Sequence, residues 1–207
     1  IERYCKVLRT QHKLISNLQY IQRDKLYISA FGKIENIINS NLKKVGSNIV
    51  LLGELLPNMQ KSVYFDILGI DGDDPPEMNL LCFKLISQLL FKAINKKNIL
   101  SCHTVSKGGM AITLAEMCFG GEKGVEINLD ILGLYRKDYL LFSENMGNFI
   151  IETEMSDYEI YNFFGGLPCI IIGKTIEEKV IRVWREPNIL QFEVEIDRLK
   201  DCWGKLL

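Results

Sequence analysis

Short apolar runs alternate with helical patterns and turn signals along most of this chain. Residues 27–31 and 48–52 read as buried strands, each followed closely by a glycine. The loop 71–76, Asp-Gly-Asp-Asp-Pro-Pro, is the strongest break, and its tandem prolines are suited to open a helix. Over 77–95 apolar residues fill most of the helical circumference, which predicts a helix buried on more than one side. A strand over 99–105, a helix over 109–119 and a strand over 124–129 follow, the last with Val125, Ile127 and Leu129 on one face. Residues 148–153 read as strand, 157–164 as a helix capped by Ser156, and 169–172 and 180–184 as strands; 195–206 reads as a closing helix. Crossover helices mixed with alternating strands predict an α+β fold, a layered α/β/α sandwich on a mixed sheet. That domain is expected to occupy residues 27–207, with 1–26 as the remnant of a preceding domain or a linker.

Composition narrows the functional classes. A chain of 207 residues, 47% hydrophobic and 25% charged, has the material for one sizeable core. A net charge of −1 offers no basic field for nucleic acid. The longest apolar stretch, 80–94, is interrupted by Lys84, Ser87, Gln88 and Lys92, which excludes a membrane span there. Six cysteines lie far apart without a C-x-x-C pair, as expected of reduced, buried thiols in a cytoplasmic protein, and a structural zinc site is not expected. The opening residues show neither an initiator Met nor a signal sequence, which suggests a piece of something longer.

The chemistry concentrates at Ser106-Lys107-Gly108-Gly109. A strand, a tight Ser-x-Gly-Gly turn and a helix aim backbone N–H groups at one spot, and such a spot suits an anion. The plainer alternative is a turn that needs small residues. Glu54, Glu116 and Glu144 are candidates to hold magnesium through a nucleotide's phosphates, since hard cations take oxygen ligands. Each has a structural alternative: Glu116 as a solvated residue on a helix face, Glu54 as a cap on the turn after it. His103 has no histidine partner nearby and is better read as a core or rim residue. No nucleophile elbow or P-loop occurs.

Six segments, taken in order, resemble one family: Ile49 to Glu54, Ser62 to Phe65, Ser101 to Met117, Gly124 to Ile127, Leu141 to Asn145, and Ile172 to Lys174. They are similar to the C-terminal domain of the aminoimidazole ribonucleotide synthetase superfamily, most specifically the second half of the phosphoribosylformylglycinamidine synthases. That family carries H-D-x-S-D-G-G-L followed by A-L-A-E-M, and later F-x-E-S-x-G-R. The resemblance implies an ATP-dependent amidoligase of purine biosynthesis using ATP and magnesium. It implies as partners the remaining domains of the synthase and a glutamine amidotransferase subunit supplying ammonia. It places catalytic groups in other domains, leaving phosphate contacts at Ser106, Lys107, Gly108 and Gly109, and ligand contacts at Glu54 and Glu144. Thr104 and Lys107 stand where the family has two aspartates, and Met146 and Asn148 where it has a glutamine and an arginine. Loss of two acids predicts no metal at this motif, and the missing arginine removes a cationic phosphate clamp. An alternative follows: an interaction domain of the same fold that no longer binds nucleotide.

Overall fold

A computed structural model describes residues 36–204, apart from 57–58, 72–77, 134 and 187–188. The strand expected over 27–31, the appendage 1–26 and the Asp-Gly-Asp-Asp-Pro-Pro loop from Gly72 onward lie outside the described residues. One compact unit runs from Ile38 to Leu207.

Its centre is β1 (Asn48–Leu52), buried at every position because strands lie on both sides and helices cover both faces. Side chains alternate across a strand, so Ile49 and Leu51 enter one core while Val50 and Leu52 enter the other. The sheet has seven strands in the order β2-β4-β1-β5-β3-β6-β7. These are β2 (Ser101–Thr104), β3 (Gly124–Asn128), β4 (Phe149–Thr153), β5 (Cys169–Ile176), β6 (Val180–Glu186) and β7 (Ile189–Glu195). The β3–β6 pair is parallel and the other pairs are antiparallel. The expected mixed sheet between two helical layers is therefore present.

Among the described helices are α1 (Val63–Leu68), α2 (Leu80–Asn95), α3 (Gly109–Gly121), α4 (Lys137–Phe142), α5 (Asp157–Phe163) and α6 (Ile196–Gly204). The first core joins Met110, Leu114 and Met117 of α3 to Leu140 and Leu141 of α4 and to Ile196 of α6. The second joins Ile86, Leu90 and Ala93 of α2 to Ile160 of α5 and to Phe164. Ser156 caps α5 as expected, and Glu159 reaches back to the Ser156 N–H at 2.8 Å, completing a capping box.

Four expectations need correction. α2 begins after Asn79, whose Oδ1 accepts the Cys82 N–H at 3.0 Å, so an asparagine cap starts the helix at Leu80, three residues beyond the expected first residue. That helix is buried along one stripe only, Cys82, Ile86, Leu90 and Ala93; Leu81 and Phe91 remain 67% and 60% exposed. An apolar circumference calls for a second partner, but within this unit the sheet covers a single side. β7 was not expected at all, because its apolar side chains pair with one neighbour at a sheet edge and Ile189, Leu190 and Phe192 stay exposed. Cys202 of α6 is exposed rather than buried. Burial pushes the Cys102 and Cys118 thiols up to about 12 and Cys169 to about 11, which leaves these three unreactive.

Candidate functional site

The Ser106–Gly109 turn leaves the end of β2 and enters α3. Gly108 is the N-cap at φ 79°, and Gly109 follows at φ 68°. L-residues rarely adopt this left-handed region. A Cβ on Gly109 would also stand 2.7 Å from the Leu141 carbonyl oxygen and 2.8 Å from the Phe142 Cα. The glycine thus lets α3 start in direct backbone contact with the end of α4.

The two glycine N–H donors of the turn already have acceptors. The Gly109 N–H donates to the Ser106 carbonyl at 2.9 Å, and the Gly108 N–H donates to Glu144 Oε1 at 2.9 Å. The same Oε1 accepts the Val63 N–H at 2.9 Å, so one carboxylate bridges the α3 turn and the first residue of α1. A carboxylate suits this position, because N–H groups at helix starts carry partial positive charge. Ser106 and Lys107 are exposed beside it. Thr104 is exposed too, at the end of the β2 edge strand. Sequence reasoning placed Glu144 and the turn separately, and the tertiary structure joins them.

Glu116 and His103 form a second pair. His103 Nε2 lies 2.8 Å from Glu116 Oε2, and its Nδ1 lies 2.9 Å from the Thr104 carbonyl oxygen. Glu116 is therefore held against β2 rather than standing free in solvent, because His103 lies across from it on the neighbouring strand. Tyr64 and Phe142 stack with centroids 4.9 Å apart, and the Tyr64 hydroxyl donates to Asp138 at 3.2 Å. Burial works against ionisation of Asp138, but hydrogen bonds from Arg136 and Tyr64 outweigh it and hold the carboxyl below its ordinary range.

Glu54 lies apart from the turn, on a solvent-open pocket whose other polar walls are Asn79, Asn145 and Asn148. Glu54 Oε1 accepts from Asn79 Nδ2 at 3.0 Å, and the Glu54 carbonyl accepts from Asn148 Nδ2 at 2.9 Å. Instead of capping the turn after it, its side chain ties that segment to the start of α2. Asn145 is 4% exposed, and neither heteroatom of its carboxamide has a partner. The sequence signal for it was available: an asparagine occupies the serine position of F-x-E-S-x-G-R.

Sequence reasoning also missed Glu152, the buried acid of β4. It accepts from the Lys43 and Lys44 N–H groups and from the Ser47 and Ser101 hydroxyls, which anchors the segment before β1. A lone acid inside Phe-Ile-Ile-Glu-Thr was the signal. Among the described residues, no three His, Cys, Asp or Glu side chains come together in a metal-holding group. Among the same residues, no helix is long and apolar enough to cross a membrane.

Comparison with known proteins adds to this geometry. The family profile described as "AIR synthase related protein, C-terminal domain" matches residues 44–186. The phosphoribosylformylglycinamidine synthase subunit PurL of Aquifex aeolicus is 32% identical over 182 residues, covering 85% of this chain and 24% of that protein. T. maritima PurL complexed with FGAR superposes with a TM-score of 0.64 at 19% identity, over 79% of this chain and 29% of that one. T. maritima PurL complexed with ATP gives 0.59 at 20% identity, over 79% and 27%. At these identities the structures show the fold. The chain spans 16 to 24% of the length of the curated relatives it matches.

Proposed function

The chain belongs to the AIR synthase related protein C-terminal domain family, and from that premise we propose that it is the C-terminal portion of a phosphoribosylformylglycinamidine synthase acting in de novo purine biosynthesis. The whole synthase is an ATP-dependent ligase forming a C–N bond with glutamine-derived ammonia, using ATP and magnesium. This domain supplies walls and phosphate contacts, while the reacting groups lie in the remaining domains. Those domains and a glutamine amidotransferase subunit are its partners. The free cysteines among the described residues support a reducing, cytoplasmic setting.

The observation that carries the role of this domain is the turn with an anion already seated on it. The Gly108 N–H already donates to a carboxylate oxygen, Glu144 Oε1, at 2.9 Å, which supports reading it as a donor to an anion. A phosphate taking that place gains the Ser106 hydroxyl and the Lys107 ammonium, both exposed next to it. Thr104 and Lys107 supply no carboxylate, so the contact is independent of metal. Calorimetry of the chain with ADP and ATP, with and without magnesium, tests this. Weak, magnesium-insensitive binding lost in Lys107→Ala is the expected result. Tight binding that requires magnesium refutes the loss of the metal site.

Glu144 also favours a second reading. A carboxylate bridging Gly108 and Val63 satisfies the cradle from within, as a purely structural strut would. In that case the domain assembles the synthase without binding nucleotide, and the same titrations give no heat.

A further inference from the structure

Glu144 holds two elements with one oxygen. Its Oε1 accepts the Gly108 N–H and the Val63 N–H, each at 2.9 Å. Because the same atom makes both bonds, it cannot leave the α3 turn and keep its place at α1. Val63 is the first residue of α1, so its N–H has no partner inside that helix and the Glu144 carboxylate is what shields it. None of the six residues of α1 is buried. Tyr64 and Phe65 lean on Phe142 and Tyr139 of α4 with ring centroids 4.9 and 6.1 Å apart, while Ile67 and Leu68 stay exposed. A helix attached along one edge depends on its few polar ties more than a buried helix does.

The carboxylate also stands where a phosphate would. Both are anions, and both draw on the partial positive charge at the start of α3. A phosphate on the Gly108 N–H would lie against Glu144, and two negative charges in contact repel, so they occupy this donor in turn and not together. Ser106 and Lys107 are exposed beside the turn and available to the incoming anion.

We propose that Glu144 is a self-inhibitory occupant of the Ser106–Gly109 turn: a phosphate binds there by displacing it from Gly108, and the displacement unfastens Val63 and loosens α1. This role of Glu144 rests on the phosphate-contact reading of the turn and adds what keeps that site closed and what moves when it opens. Occupancy of the turn by ligand and attachment of α1 are then alternatives, and ligand binding shifts the balance between them.

The test follows the backbone amides of Gly108 and Val63 in the full chain by residue-resolved hydrogen exchange as inorganic phosphate is added. In the wild type Val63 should lose its protection as phosphate saturates, while Gly108 keeps its own, because one donor changes acceptor and the other is left without one. Glu144→Ala should bind phosphate at least about tenfold more tightly, the equivalent of one hydrogen bond no longer contested, and its Val63 amide should exchange fast with or without phosphate. Glu144→Gln keeps an acceptor oxygen without the charge; it should bind phosphate more tightly than wild type, and it decides the matter where the Ala variant does not fold. Adding Lys107→Ala to either variant should remove the gain, which assigns the binding to this turn. Equal phosphate affinity in the wild type and the Glu144 variants overturns the proposal. So does a Val63 amide that is unprotected before phosphate is added or still protected at saturation. In those cases phosphate binding that is lost in Lys107→Ala leaves the phosphate-contact reading standing. No phosphate binding by wild type or by either Glu144 variant removes both, whereas binding by the Glu144 variants alone upholds both, with the wild-type turn held shut.

Discussion

Glu152→Ala should be among the most damaging single changes in this protein. The carboxylate is 0% exposed and, among the described residues, has no cationic side chain at hydrogen-bonding distance. Its ligands are the Lys43 N–H at 2.9–3.0 Å, the Lys44 N–H at 2.8 Å, and the hydroxyls of Ser47 and Ser101, each at 2.8 Å. Truncation strands those donors. Ser47 can turn to the Lys44 carbonyl 2.8 Å away, which leaves two backbone N–H groups and the Ser101 hydroxyl. At about 1–3 kcal/mol for each stranded donor the sum is roughly 3–9 kcal/mol. Water entering the vacated space recovers part of that, so a loss of about 3–5 kcal/mol is expected. Glu152→Gln keeps one acceptor oxygen for Lys43 and Lys44, and its new amide N–H can donate to Ser101, which reverses its role. Its cost should be about 1–2 kcal/mol, mainly the lost charge assistance. Urea unfolding of both variants measures the difference as a shift in midpoint at constant slope. A loss below about 1 kcal/mol for Ala would refute the claim that Glu152 anchors the segment before β1. Equal losses for Gln and Ala would mean that the charge, not the count of acceptors, holds it.

Gly109→Ala should destabilise by roughly 2–4 kcal/mol through the left-handed backbone and the contact with Leu141 and Phe142, as read by thermal melting; an unchanged melting temperature would mean that α3 and α4 separate freely. Lys107→Asp should weaken any phosphate binding without creating much magnesium affinity, because Thr104 still lacks a carboxylate. A large gain in magnesium affinity by calorimetry would contradict this. Asp138 has its carboxyl pKa lowered in the fold, so its contribution is present above the ordinary value of 3.8 and disappears as pH falls through the lowered one. The stability gap between wild type and Asp138→Asn should therefore be constant near neutrality and close in acid; a gap that widens in acid would reverse the sign.

Local pattern carried most of the fold. The β-branched and apolar runs of β1, β4, β5 and β6, the alternation of β3, and the Ser156 cap were all legible, because short-range sterics and capping act within a few residues. α1 and α4 are six residues each, too short for a helical period to register, and they exist because Ser62 caps the first and Arg136, Tyr64 and Asp138 brace the second. Neither feature announces a helix before its partners are in place.

The candidate site divides the same way. The sequence by itself determined the Ser-Lys-Gly-Gly turn, since only glycine takes positive φ twice in succession without strain, and it determined that Thr104 and Lys107 bring no metal-binding acid to it. Only the tertiary structure decided that Glu144, 36 residues later in the chain, lies on that turn and fills its Gly108 donor. The same holds for Asn145, whose carboxamide is closed off by the packing around it. Backbone preference is a property of each residue and can be read in order. A hydrogen-bond partner is a property of position in space, and it exists only after the sheet has brought β1, β2 and β4 side by side.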